Sequence, residues 1–102
     1  MGTVRLEAKK PWAIDPIYFA SVQRPLYLHD LAVSPATARQ GVGRLLVDAA
    51  KSAARAWPAD AIRLDAYDHA AGAGEFYVKC GFREVGRVAY RGVPLIYFEW
   101  LS

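Results

Sequence analysis

The sequence predicts an α/β (α+β) chain: a mixed β-sheet of about five strands with two helices, in the order β-β-α-β-α-β-β. Three observations lead there. Several short runs alternate apolar and polar residues or are almost wholly apolar, as strands do. One longer run repeats its apolar residues at helical spacing between two strand runs, and a single crossover helix of this kind joins parallel strands. Two late strand runs are separated only by Arg91-Gly92, which reads as an antiparallel hairpin.

The elements follow in order. Thr3–Ala8 alternates and is the first strand. Residues 10–25 carry Pro11, Pro16 and Pro25 without a clean period, and read as a long loop with room for one helical turn. Leu26–Val33 is nearly all apolar, as a strand covered on both faces would be. Ser34-Pro35 ends it, and residues 36–41 form a loop of mostly small residues. A helix then runs from about Val42 to Trp57. Its expected buried face is Val42, Leu45, Leu46, Ala49, Ala50, Ala53 and Trp57; Arg44, Asp48, Lys51, Ser52 and Arg55 fall opposite. Pro58 stops it. Ala61–Tyr67 alternates again as the third strand. Residues 70–80 are a second, shorter helix closed by Gly81, and residues 82–90 and 94–101 are the last two strands.

The chain has 102 residues, with 13 Lys+Arg against 10 Asp+Glu and one Cys. That length suits a single domain, residues 1–102, with one modest core. A net charge of +3 without any Lys/Arg run leaves no footprint for nucleic acid. One Cys excludes a disulfide framework and a multi-Cys zinc site, and no metal is expected. No run approaches the ~18 apolar residues of a membrane span. Lys9-Lys10 is followed by Pro11, Asp15 and Pro16, not by the apolar region of a signal peptide. A cytoplasmic chain with no membrane partner is therefore expected, and the single thiol fits a reducing compartment.

Arg39-Gln40-Gly41-Val42-Gly43-Arg44 is the most informative string. It opens the first helix, where backbone N–H groups are unpaired and the helix dipole is positive. The glycines let a ligand approach the backbone, and Arg39 and Arg44 add charge. These are the parts of a phosphate or pyrophosphate site. The P-loop pattern fails, because no Gly-Lys-Ser/Thr follows. The dinucleotide fingerprint fails too, because its third Gly would fall at Leu46. Taken alone, the string reads equally well as a Gly-rich connection with no ligand.

Two more strings frame it: Leu31-Ala32-Val33-Ser34-Pro35 before, and Phe76-Tyr77-Val78-Lys79-Cys80-Gly81-Phe82 after. In that order and spacing the three resemble the GNAT superfamily of acetyl-CoA-dependent N-acetyltransferases. The resemblance covers about residue 26 to the C-terminus, and residues 3–8 look like the strand that precedes this block. It implies a GNAT-like fold in which the strands flanking the first helix splay, with the cofactor's pantetheine arm in the gap. The cofactor would be acetyl-CoA, held by Leu31, Ala32 and Val33, by Arg39, Gln40, Gly41, Val42, Gly43 and Arg44, and by Tyr77. The Leu31 amide would polarise the thioester carbonyl, and the amides from Arg39 to Arg44 would take the pyrophosphate. Tyr77 would be the general acid for the departing thiolate.

His29 is the first candidate for the general base. Its string, Leu28-His29-Asp30-Leu31, is similar to the one that carries the base in arylalkylamine acetyltransferases, and an imidazole titrates in a suitable range. Simple alternation puts His29 and Leu31 on one face and Asp30 on the other. Glu7 on the neighbouring strand is a weaker alternative base. Phe76, Phe82 and Cys80 are read as core. Three departures from the family stand out. Ala38 and Ala70 replace polar residues that usually contact the cofactor. The chain also begins near a later strand pair, without the family's usual initial strand and two helices. The acceptor is expected to be a small-molecule or peptide amine, and the assembly a homodimer. The competing readings are a non-catalytic acyl-CoA-binding or regulatory domain, and a fragment that needs a partner chain.

Overall fold

A computed structural model describes residues 2–33, 41–68 and 74–102. The strands are β1 (Gly2–Glu7), β2 (Pro25–Val33), β3 (Ala61–Tyr67), β4 (Arg83–Tyr90) and β5 (Val93–Leu101). Two helices, α1 (Val42–Ala56) and α2 (Gly74–Lys79), flank β3 in the chain, and one 3-10 turn, Pro16–Tyr18, interrupts the loop before β2. The expected order is thus met. The part of the second helix expected at 70–73 lies outside the described residues. No described helix is long and apolar enough to cross a membrane.

The strands form one sheet in the order β1-β2-β3-β5-β4. β2 and β3 are parallel, as the crossover helix requires, and the other neighbours are antiparallel. The β4–β5 turn has positive φ at both central residues, 52° at Arg91 and 81° at Gly92. That sign pattern matches the right-handed twist of the paired strands. α2 ends as its sequence suggested: Gly81 has φ 92°. Its N–H donates to Val78 at 3.0 Å and the Phe82 N–H to Tyr77 at 3.0 Å, which satisfies the last carbonyls. Lys51 from α1 adds its ammonium to the Cys80 carbonyl and lies 5.3 Å from the Trp100 ring centre, tying the two helices to the sheet.

One face of the sheet carries the helices. There Leu26, Leu28, Ile62, Leu64, Ile96 and Phe98 pack with Val47, Ala50 and Ala54 of α1 and with Tyr77 of α2. The burial of α1 corrects the expected face. Val47, Ala50 and Ala54 are buried, whereas Leu45 is 66% and Trp57 59% exposed. Alanines surround this helix, so its apolar stripe is shallow in sequence. Close approach to the sheet selects the side where small residues flank Val47.

The other face is crossed by residues 8–24. Ile14 and Phe19 from this strap bury against Tyr27 and Tyr97. The Tyr97 hydroxyl accepts from the Asp15 N–H at 3.1 Å and donates to the Ala13 carbonyl. Beneath Phe19 lies a buried ion pair, Arg63 and Glu99, with Nε to Oε2 at 3.7 Å. Arg63 also donates to the Tyr27 hydroxyl at 3.1 Å and to the Ala20 carbonyl at 2.8 Å, and Glu99 accepts from the Ala20 N–H at 3.3 Å. Gly86 completes the fit: a Cβ there would stand 2.5 Å from the Tyr18 ring.

Candidate active site

β2 and β3 pair at only three positions, Pro25↔Ala61, Leu26↔Ile62 and Tyr27↔Arg63. Beyond them both remain strands. β2 stays laddered to β1 as far as Val33, and β3 to β5 as far as Tyr67. The two therefore part in a V, and the inner edge of β2 runs on without a β3 partner. Peptide groups in such an edge need partners from elsewhere.

A bulge accompanies the parting. Thr3 opposes Ala32 and Arg5 opposes His29, so Val4 faces two residues of β2, Asp30 and Leu31. Bulges bend a strand and raise its twist, which turns the end of β2 away from β3. The bulge also overturns the expected shared face of His29 and Leu31. Leu31 packs with Val4 and Leu6 against the helix-side core. His29 keeps the alternation of Tyr27 and points to the opposite face. The sequence could not show this, because one inserted residue reverses every side chain after it.

That opposite face holds a group the sequence reading missed. Tyr27 and Arg63 are register partners whose side chains bond, so they share a face. Two residues further along each strand, His29 and Asp65 share it as well, at the start of the gap. Burial pushes the Asp65 carboxyl above the ordinary carboxylate range, against a lowering effect of His29. The His29 Nε2 is buried with no hydrogen-bond partner among the described residues. Arg63-Leu64-Asp65-Ala66-Tyr67 alternates, so aligning it with Tyr27 and His29 in a parallel pair would have brought Asp65 forward.

Tyr77 comes from the other side, off α2. It is 6% exposed and packs on Phe82 and Phe98 with ring centres 5.9 Å and 5.7 Å away. Burial raises its hydroxyl to about 12, with smaller contributions from Cys80 and Asp65. The Cys80 thiol is buried and raised as well, as befits a packing residue. Glu7 is held by Arg5 and opposes Tyr27, where β2 and β3 are still paired, so it stands away from the gap.

Gly41 precedes α1 in the left-handed region at φ 77°, which only glycine adopts without strain. The N–H groups of Val42, Gly43 and Arg44 are in the first turn of α1, where the helix supplies no acceptors. Arg39 and Gln40 lie outside the described residues, as do Ala38 and Ala70. Ala32 and Val33 are described as backbone at the end of β2. On the strap side, a groove of about 380 Å³ runs beside Asp65, Tyr67, Tyr90 and Arg91. A second, of about 680 Å³, lies between the strap and the hairpin, beside Trp12, Tyr18 and Arg87.

A family model described as the acetyltransferase (GNAT) family matches residues 2–82. The chain belongs to the GNAT family. Its fold agrees with solved GNAT structures. A protein of Bacillus anthracis described as a streptothricin acetyltransferase, in complex with acetyl coenzyme A, is 27% identical with a TM-score of 0.75. That match covers 99% of this GNAT chain and 55% of the other. An acetyltransferase from Bacillus cereus is 29% identical, with a TM-score of 0.66 over 76% of this chain and 56% of that one. The NatC complex bound to Gag peptide and CoA shares the fold at 18% identity, with a TM-score of 0.79 over 99% of this chain and 60% of that one. This GNAT chain thus spans between 55% and 60% of the length of these structures. No curated protein sequence matches it.

Proposed function

We propose that this chain is an acetyltransferase that moves an acetyl group from acetyl-CoA to a primary amine by direct attack. The observation that carries the reading is the V between β2 and β3. It offers an extended ligand a free strand edge, as the pantetheine arm would need. Acetyl-CoA supplies the acyl carbon and a thiolate leaving group. The Leu31 N–H, at the bulge where β2 turns away from β3, polarises the thioester oxygen. The first-turn amides of α1, with Arg44 and the neighbouring Arg39 and Gln40, take the pyrophosphate.

His29 accepts the amine's proton at its unpartnered Nε2, which leaves the nitrogen lone pair free to form the new C–N bond. As the C–S bond breaks, Tyr77 protonates the thiolate. The protons balance: the ammonium gives up one to His29 before attack and a second as the C–N bond forms, one equivalent reaches the CoA thiolate through Tyr77 and the other passes to solvent. The acceptor is a small-molecule or peptide amine.

Acetyl-CoA at about a hundred times its dissociation constant is expected to stabilise the chain by ~2.7 kcal/mol, read by denaturant unfolding. No stabilisation would overturn the reading. Stabilisation without release of free CoA from any amine in a broad panel would favour the non-catalytic acyl-CoA-binding alternative.

The expected homodimer belongs to the same proposal. Leu45 and Trp57, 66% and 59% exposed on α1, support it. Sedimentation at micromolar concentration is expected to give twice the monomer mass, and a monomer would count against it.

A further inference from the structure

The smaller groove carries a more specific reading of the acceptor, which rests on the acetyl transfer proposed above. Its floor is the end of β3 and its far wall is the β4–β5 hairpin. Asp65 is the one acidic side chain among the described lining residues. No salt bridge reaches it among the described residues, although it stands beside Tyr97 in the register of β3 and β5. Tyr67, 62% exposed, and Tyr90 supply aromatic surface. Val93, Leu95 and Ala66 make the remainder apolar. Arg91 stands at the hairpin end with its guanidinium 5.3 Å from the Tyr90 ring centre.

A partly buried carboxylate among aromatic rings attracts a cation twice over, by charge and by the ring faces. Arg91, which also lines the groove, disfavours a second positive charge there. Its volume of about 380 Å³ has room for one ring and a short chain.

We propose that the acceptor is a monocationic amine with an aromatic body, its ammonium group on Asp65 and its ring against Tyr67 and Tyr90. Asp65 holds the amine at the start of the β2–β3 gap, on the face that His29 also presents. Polyamines are disfavoured by Arg91, and neutral aromatic compounds by the carboxylate they leave without a counter-ion.

Four probes separate the parts of this claim, measured by calorimetry on the full chain with CoA present and absent. 2-Phenylethylamine carries ring and charge, butylamine only charge, 2-phenylethanol only the ring, and putrescine two charges. 2-Phenylethylamine is expected to bind at least about tenfold more tightly than each of the others: than 2-phenylethanol by one charge-assisted contact, and than butylamine and putrescine by the burial of its ring. Asp65→Asn is expected to weaken 2-phenylethylamine by about tenfold and leave 2-phenylethanol unchanged. Tyr67→Ala, at an exposed position that leaves the core intact, is expected to weaken both ring-bearing probes and spare butylamine.

Three results would overturn the proposal: no binding of 2-phenylethylamine in either condition, an unchanged affinity in Asp65→Asn, or equal affinities for 2-phenylethylamine and butylamine. CoA binding is read separately on the same samples. Its loss would remove the acetyl-transfer reading while the amine measurements still decided the groove's preference.

Discussion

Replacing Tyr77 with phenylalanine is expected to lower amine acetylation by about 10²–10⁴-fold while CoA affinity stays within about twofold. The ring is 6% exposed and packed on Phe82 and Phe98, so phenylalanine fills the same space and only the hydroxyl is lost. Burial raises that hydroxyl to about 12, and the nearby Cys80 and Asp65 add to the shift. A phenol so placed is a donor at every working pH, ready for a thiolate that develops beside it. The sign also fixes a pH dependence. The folded state favours the neutral phenol, so this stabilisation is complete below the ordinary tyrosine value of about 10 and is lost as pH rises towards about 12. Activity lost on the alkaline side below that window belongs to another group. Turnover and CoA affinity measured side by side decide the matter: equal turnover would remove Tyr77 from the chemistry.

Arg63→Met or Glu99→Gln alone is expected to destabilise the fold by about 3–5 kcal/mol. Either change leaves a nearly unexposed charge without its partner, since Arg63 is 5% and Glu99 1% exposed. Arg63→Met also frees the Ala20 carbonyl of the strap, to which Arg63 donates. For a domain of this size the loss corresponds to roughly 12 °C or more in melting temperature. The paired change Arg63→Met with Glu99→Leu is expected to recover most of it, because an apolar pair leaves no buried charge. Arg83→Ala is expected to cost little: its side chain is 64% exposed although it lies 3.5 Å from Glu99. A single Arg63→Met variant within about 1 kcal/mol of the parent would show that the pair does not hold the strap. The consequence reaches the groove beside Asp65, because Ala13 of the strap is part of its wall.

The candidate site is legible in the sequence as an order of residues but not as an arrangement. Gly41, just before α1, is readable from its spacing to Gly43, and it does take the left-handed conformation. Tyr77 is a candidate because of the motif that surrounds it, and the structure shows its ring buried on α2. Asp65 was passed over because a lone aspartate in an alternating strand looks solvent-facing, and only the strap and hairpin turn its face into a groove. Arg63 and Glu99 were hidden for the same reason. Each is a charge on an outward position of its strand, and residues 8–24 fold back to cover them.

Periodicity by itself determined the elements, the parallel pairing of β2 and β3 and the hairpin, because each follows from spacing along the chain or from the length of a connection. The three strings likewise determined the family. Tertiary structure decided where β2 leaves β3, which side of α1 is buried, and that a bulge at Asp30 and Leu31 separates Leu31 from His29. Those outcomes depend on contacts between distant segments. A strand's alternation is a local property, but its register and the face it finally presents are set by the neighbours it packs against.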